Sequence, residues 1–259
     1  MVAGARRCSV APSVFTFHPR PHVISSRLIG LSIHLFTASG AALGIVALFL
    51  AAEGQFAAMF AWLGVALVVD AVDGPLARRF KVTDTAPFID GVALDLVVDF
   101  LNYVVTPLVA LWRSSLLEPG VAGAASALVC ASSALYFAYR RMKTSDYWFR
   151  GFPALWNVVV FYLLVLRPSA SASLALILTA AALMFAPLVF IHPLRVKRLR
   201  VLTIAVTAIW AAAAIAAVAQ DLATASFGVK AALVATGCYF LALPLFRQGG
   251  AVAKGEVDG

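Results

Sequence analysis

Charged side chains are what this chain has least of. Asp, Glu, Lys and Arg together make up 12% of its 259 residues, where an ordinary soluble domain carries about a quarter. Hydrophobic residues reach 63% and the mean hydropathy is +0.95, so there is too little charge to cover the surface of a soluble globule. Histidine and cysteine are also scarce. Cys8, Cys130 and Cys238 lie far apart with no C-x2-C spacing, which excludes a zinc site or a disulfide framework and leaves them as small apolar fillers. No internal repeat and no low-complexity tract is present, so one domain suffices. Met1 to Arg27 lacks a long apolar core followed by small residues, so a cleaved signal peptide is not expected.

What is there is a series of apolar runs. A membrane span needs about 20 apolar residues, and eight stretches approach that length: about Leu35–Ala52, Phe56–Val72, Val92–Leu111, Val121–Tyr139, Pro153–Leu166, Ser171–Phe190, Leu202–Gln220 and Phe227–Phe246. The expected fold is therefore all-α, a polytopic membrane helix bundle of about eight transmembrane helices. Residues 1–30 read as a cytoplasmic tail, with Arg20 to Leu31 forming a juxtamembrane helix on the anionic membrane surface. Residues 31–247 read as the membrane domain and 248–259 as a second cytoplasmic tail. The net charge of +8 does not point to nucleic acid, because Lys and Arg gather at the ends of the apolar runs. With the N-terminus inside, Arg6, Arg7, Arg20, Arg27, Arg78, Arg79, Lys81, Arg140, Arg141, Lys143, Arg150, Arg195, Lys197, Arg198, Arg200, Arg247 and Lys254 are cytoplasmic. That leaves Arg113, Arg167 and Lys230 outside, a split of 17 to 3 among the 20 basic residues. Such a bias sets orientation and puts both termini in the cytoplasm.

Half of the twelve acidic residues, Asp70, Asp73, Asp84, Asp90, Asp95 and Asp99, fall within one segment of this apolar chain. A carboxylate at membrane depth costs several kcal/mol unless compensated, so such acids mark a functional site. On a helix, positions i, i+3, i+4 and i+7 share a face. Asp70, Asp73, Gly74 and Ala77 thus line one face of the second helix, and Gly91, Asp95, Asp99 and Asn102 one face of the third. Facing each other, they would make a four-carboxylate pocket whose hard oxygens suit Mg²⁺ or Mn²⁺, which in turn hold phosphates. Gly74 and Ala77 leave room for a nucleotide, and Arg78 can pair with phosphate.

Written out, Asp70 to Asp99 is D-x2-D-G-x2-A-R-x12-G-x3-D-x3-D. This resembles the signature of the CDP-alcohol phosphotransferases, integral membrane enzymes that join a CDP-linked group to an alcohol, and every signature residue matches. The interval Arg79 to Asp90 is longer than in most of that family and is similar to that of the bacterial phosphatidylcholine synthase branch. His34-Leu-Phe-Thr37-Ala-Ser39-Gly and Gly151-Phe-Pro-Ala-Leu-Trp156-Asn157 extend the resemblance over most of the chain. It implies an enzyme of the bacterial inner membrane, its site facing the cytoplasm, with CDP-diacylglycerol and choline as substrates. It further implies two divalent cations, Mn²⁺ or Mg²⁺, on Asp70, Asp73, Asp95 and Asp99. Asp99 would also act as the base, and Asp70, Asp73, Gly74, Ala77, Arg78 and Gly91 would contact the CDP group. The resemblance implies His34, Thr37 and Asn157 at the edge of the site, and often a homodimer. Choline carries a trimethylammonium group, which aromatic rings and carboxylates can hold; Trp156 is the first candidate, then Tyr139, Trp148 and Asp146.

Two rivals stand beside this reading. A sibling transferase would use serine, inositol or glycerol phosphate as acceptor. A cation-coupled transporter would use the aspartates as a relay, but it leaves Gly74, Ala77, Arg78 and Gly91 without a purpose. The charge split is open to direct test. Cysteines introduced at position 82 or 197 should react with an impermeant thiol reagent only from the cytoplasmic side, and one at position 221 only from outside. Labelling of position 82 from outside would overturn the orientation.

Overall fold

The computed structural model describes residues 21–139, 149–186, 189–190 and 200–243. Its helices are α1 (Pro21–Glu53), α2 (Phe56–Arg79), α3 (Val82–Thr85), α4 (Gly91–Phe100), a π-helical turn (Leu101–Val105), α5 (Thr106–Arg113), α6 (Pro119–Ala138), α7 (Trp156–Leu166), α8 (Ala170–Leu183), α9 (Arg200–Ala219) and α10 (Phe227–Ala242). The all-α membrane architecture holds. Five helical stretches are long and apolar enough to cross a bilayer: Ser26–Glu53, Phe56–Arg79, Gly91–Arg113, Pro119–Ala138 and Arg200–Ala219. Three more apolar helices, α7, α8 and α10, are shorter.

The helices α1 and α2 run beyond the expected stretches, to Pro21 and Arg79, and two others fall short of them. The sixth stretch does not stay helical to Phe190: α8 ends at Leu183, and Val189 and Phe190 pair antiparallel with Arg150 and Phe149 in a two-strand ladder. Pro187 lies inside the expected helix, and a proline disfavours the helical conformation of the residue before it and lacks a donor. The fifth stretch begins at Trp156 rather than Pro153. Ahead of it Gly151 and Ala154 take positive φ values of 75° and 49°, which breaks the helix there. At Gly151 a Cβ would overlap the Met184 carbonyl oxygen, so this close crossing of the two chain segments requires glycine.

The segment read as a juxtamembrane helix is the beginning of α1, continuous with the first span over 33 residues. At 1.5 Å per residue it is about 50 Å long, against a hydrocarbon core of about 30 Å. The overhang has a partner. The long interval after Arg79 folds into α3, and its Val82 and Ala86 bury against Ile33 of α1 with Leu76 and Ala77 alongside. Val82 is 4% exposed, so the neighbouring, exposed Thr83 is the better labelling position.

Packing of α1 on the third span sets the rest. The contacts run in parallel register: Gly40 lies against Val98 and Asn102, and Gly44 against Leu101 and Asn102. The Asn102 amide donates to the Gly40 carbonyl at 3.2 Å and the Thr106 hydroxyl to the Gly44 carbonyl at 3.5 Å. Ala47 and Ala51, fully buried, continue this small-residue stripe, which lets helix backbones approach closely in a membrane. The main core gathers α5, α6 and α7 around Trp156, and Phe60 of α2 meets Phe161 of α7 edge to face at 5.1 Å. Polar ties then fasten α9 and α10. The Trp210 indole donates to the Tyr162 oxygen at 3.0 Å, and the Tyr162 hydroxyl donates to the Leu233 carbonyl at 2.7 Å.

A methyl group at Gly44 would overlap the Asn102 amide oxygen. Gly44→Ala should therefore lower the melting temperature of the detergent-solubilised protein by an overpacking cost of about 1–3 kcal/mol. Gly64→Ala, whose Cβ meets nothing within 4 Å, should leave it unchanged or raise it. Equal behaviour of the two variants would mean that the α1 contact is not close.

Candidate active site

Asp70 on α2 and Asp95 and Asp99 on α4 converge: one carboxylate oxygen of each lies within 4.8 Å of those of the other two. All three are partly buried, so water reaches them while the surrounding helices stay apolar. The expected i, i+4 face of α4 thus meets α2. Repulsion is the immediate consequence, since two like charges 4 Å apart cost about 4 kcal/mol at an effective dielectric constant of about 20. A divalent cation is the natural counter-charge, and a set of hard carboxylate oxygens without nitrogen or sulfur fits Mg²⁺ or Mn²⁺.

Asp73 stands apart from those three. It is 6% exposed and lies beside Thr37 of α1 and near the charge of Asp70. Thr37 stands beside Asp73, while its hydroxyl donates to the Ile33 carbonyl of its own helix at 3.3 Å. Its neighbour His34 is 6% exposed, and its ring covers Gly91: a Cβ there would sit 3.0 Å from His34 Cε1. His34 Nε2 is buried and has no hydrogen-bond partner among the described residues. The second glycine of the signature is thus explained by the α1 histidine that packs on it.

The first glycine is explained by an arginine. A Cβ at Gly74 would lie 3.3 Å from Arg78 Nη1, so the exposed guanidinium folds back along α2 over the bare backbone. Pro75 sits within α2 and has no N–H for the Ala71 carbonyl, which loosens the helix just below Asp70. Ala77 packs against the Ile33, Val82 and Ala86 cluster. At the start of α4, Asp90 is the N-cap and its Oδ1 accepts from the Val92 and Ala93 amides at 3.0 and 3.1 Å. That cap fixes the helix carrying Asp95 and Asp99.

One residue of the expected face is turned elsewhere. Asn102 is buried against α1 instead of lying with Asp95 and Asp99. The α2-facing place is taken by Tyr103, whose hydroxyl donates to Asp70 Oδ2 at 2.6 Å. Tyr103 is not among the residues that the sequence pattern singles out. Its spacing of four from Asp99 was the signal that could have found it.

The rings considered for choline fare differently. Trp156 is 0% exposed, donates its indole N–H to Ser133 Oγ at 2.9 Å and meets Phe152 edge to face at 6.0 Å. A ring with no free face cannot receive a ligand cation, so Trp156 is a core residue. Asn157 lies in the first turn of α7, and its side-chain oxygen accepts from the Val158 amide at 2.9 Å, a local bond rather than one to the carboxylates. Tyr139 is 48% exposed at the end of α6. Asp146 and Trp148 lie outside the described residues.

Comparison with known proteins agrees with this geometry. The profile of the CDP-alcohol phosphatidyltransferase family matches residues 34–188, which include every converging acid. The chain is 38% identical over 226 residues to a phosphatidylcholine synthase of Agrobacterium fabrum, covering 87% of this chain and 92% of that protein. It is 47% identical over 193 residues to one of Bradyrhizobium diazoefficiens, covering 74% and 71%. A third, of Pseudomonas aeruginosa, is 40% identical over 178 residues, covering 69% and 75%.

If the three converging acids form a cation site, Asp95→Asn and Asp99→Asn should each weaken Mn²⁺ binding to the purified protein by about tenfold to a hundredfold or more. Asp84→Asn, exposed on α3, should bind as the wild type does. Free Mn²⁺ measured by electron paramagnetic resonance checks this, and unchanged affinity in both of the first two variants would refute it.

Proposed function

Because the chain belongs to the CDP-alcohol phosphatidyltransferase family, we propose that it makes phosphatidylcholine, transferring the phosphatidyl group of CDP-diacylglycerol to choline and releasing CMP. The observation that carries this reading is likeness over most of the chain to proteins named phosphatidylcholine synthase, joined to the converging acids of α2 and α4. The protein is membrane-embedded by its long apolar helices. We place it in the bacterial inner membrane with the acids facing the cytoplasm, on the side of the basic last turn of α2, and we propose a homodimer as its working unit.

The chemistry follows from what each residue can do. Asp70, Asp73, Asp95 and Asp99 would hold two divalent cations, Mn²⁺ or Mg²⁺. Bound there, the cations supply positive charge to the pyrophosphate and to the departing phosphate of CMP. Arg78, exposed and folded over Gly74, would pair with phosphate oxygens, and Gly74 would border the cytidine. Asp99 takes the proton of the choline hydroxyl as its oxygen bonds to phosphorus. The bond from phosphorus to the CMP oxygen breaks, and the acyl chains stay in lipid throughout. Choline presents no N–H, so rings and carboxylates must recognise its cation. Tyr139, Trp148 and Asp146 remain proposed for that task, and Trp156 does not.

Purified protein given CDP-diacylglycerol and Mn²⁺ should release CMP with choline, and not with serine, inositol or glycerol phosphate. EDTA should abolish the release and added Mn²⁺ restore it. Asp70→Asn, Asp73→Asn, Asp95→Asn and Asp99→Asn should each slow it by about a hundredfold or more, and near-normal turnover in any two would sink the metal assignment. Faster release with another alcohol would reassign the acceptor. Cation flux in vesicles without CMP release would favour a transporter.

A further inference from the structure

We propose that Tyr103 is a positioning residue of the acid site, holding Asp70 in the orientation that faces Asp95 and Asp99. This inference rests on the cation-binding reading of those acids. Its hydroxyl is bonded to Asp70 Oδ2 at 2.6 Å, the short distance of a hydroxyl donating to an ionised carboxylate. Tyr103 is partly buried and lies one turn beyond Asp99, towards the middle of the third span. It links the two helices that carry the acids, α2 through Asp70 and the third span through its own backbone.

Backbone geometry supports the assignment. Along the third span, Val98, Asn102 and Thr106 meet α1 at Gly40 and Gly44. Asp95, Asp99 and Tyr103 meet α2. Both rows repeat every four residues, and an ideal α-helix would let such a row drift by about 40° per step. The π-helical turn at Leu101–Val105 winds more widely and takes up that drift, so Asn102 stays on α1 while Tyr103 stays on Asp70. Insertions of this type are rare and gather at functional sites. Here the turn begins two residues after Asp99, and Tyr103 is what it presents to the acids.

Partners that hold the ligands of a metal commonly change its affinity by about tenfold to a hundredfold when removed. Tyr103→Phe keeps the ring and deletes only the donor. Mn²⁺ binding to purified wild type, Tyr103→Phe and Asp70→Asn, without substrate, tests the role. Thermal unfolding of each in EDTA and across a Mn²⁺ titration tests it independently. The phenylalanine variant should bind Mn²⁺ about ten to a hundred times more weakly, melt close to the wild type in EDTA, and need correspondingly more Mn²⁺ for the same thermal shift. With Mn²⁺ in excess, its KM for choline should be unchanged. Wild-type Mn²⁺ affinity in Tyr103→Phe, together with lost binding in Asp70→Asn, would overturn the role of Tyr103 alone. Wild-type affinity in Asp70→Asn would overturn the cation reading and this inference with it. A Tyr103→Phe chain that melts far below the wild type in EDTA would make Tyr103 a packing residue and overturn the proposal as well.

Discussion

The backbone contact between α1 and the third span is the constraint on which the site depends. At Gly40 and Gly44 α1 contributes no side chain, so Val98, Leu101 and Asn102 of the third span pack directly on its backbone, and the Asn102 amide is bonded straight to the Gly40 carbonyl. In hydrocarbon there is no hydrophobic drive to press helices together, so close packing and such polar bonds must do it. With that contact made, His34 falls on Gly91 and Thr37 reaches Asp73. The α1 helix carries no acid of the cluster, yet it sets the angle of both helices that do.

Much of this was legible in the chain. Aspartates spaced by three and four residues in apolar surroundings have few uses besides a shared site, and helical periodicity was enough to turn Asp70 towards Asp95 and Asp99. Periodicity failed where the helix is not an α-helix: the π turn sends Asn102 to α1 and gives its expected place to Tyr103. Asp73 shows the limit of sharing a face. It lies one turn from Asp70, but it is buried beside Thr37 and outside the group that the other three form, and only the packing of α1 decides that. Trp156 misled for another reason. Its motif was informative, but whether a ring near a helix end faces a ligand or Ser133 depends on a neighbour 23 residues away in sequence.

The glycines distinguish the readings of the acids. A relay of carboxylates asks nothing of Gly74 or Gly91. In the fold each lies under a nitrogen-bearing side chain, Arg78 over the first and His34 over the second. Both lie at the end of the acid cluster nearest the basic residues of α2, so the acids open towards groups suited to phosphate.

The overhang of α1 and the length of the connector that follows α2 are a matched pair. Ile33 and Gly30 give α3 its seat, and Val82 and Ala86 fill it. A shorter connector would leave no residues to form α3 and would strip cover from the N-terminal part of α1. An extended first helix without the connector would stand alone in water. A change in the length of either segment therefore carries a demand on the other, so an insertion in one loop is tied to the reach of a helix more than 40 residues earlier in the chain.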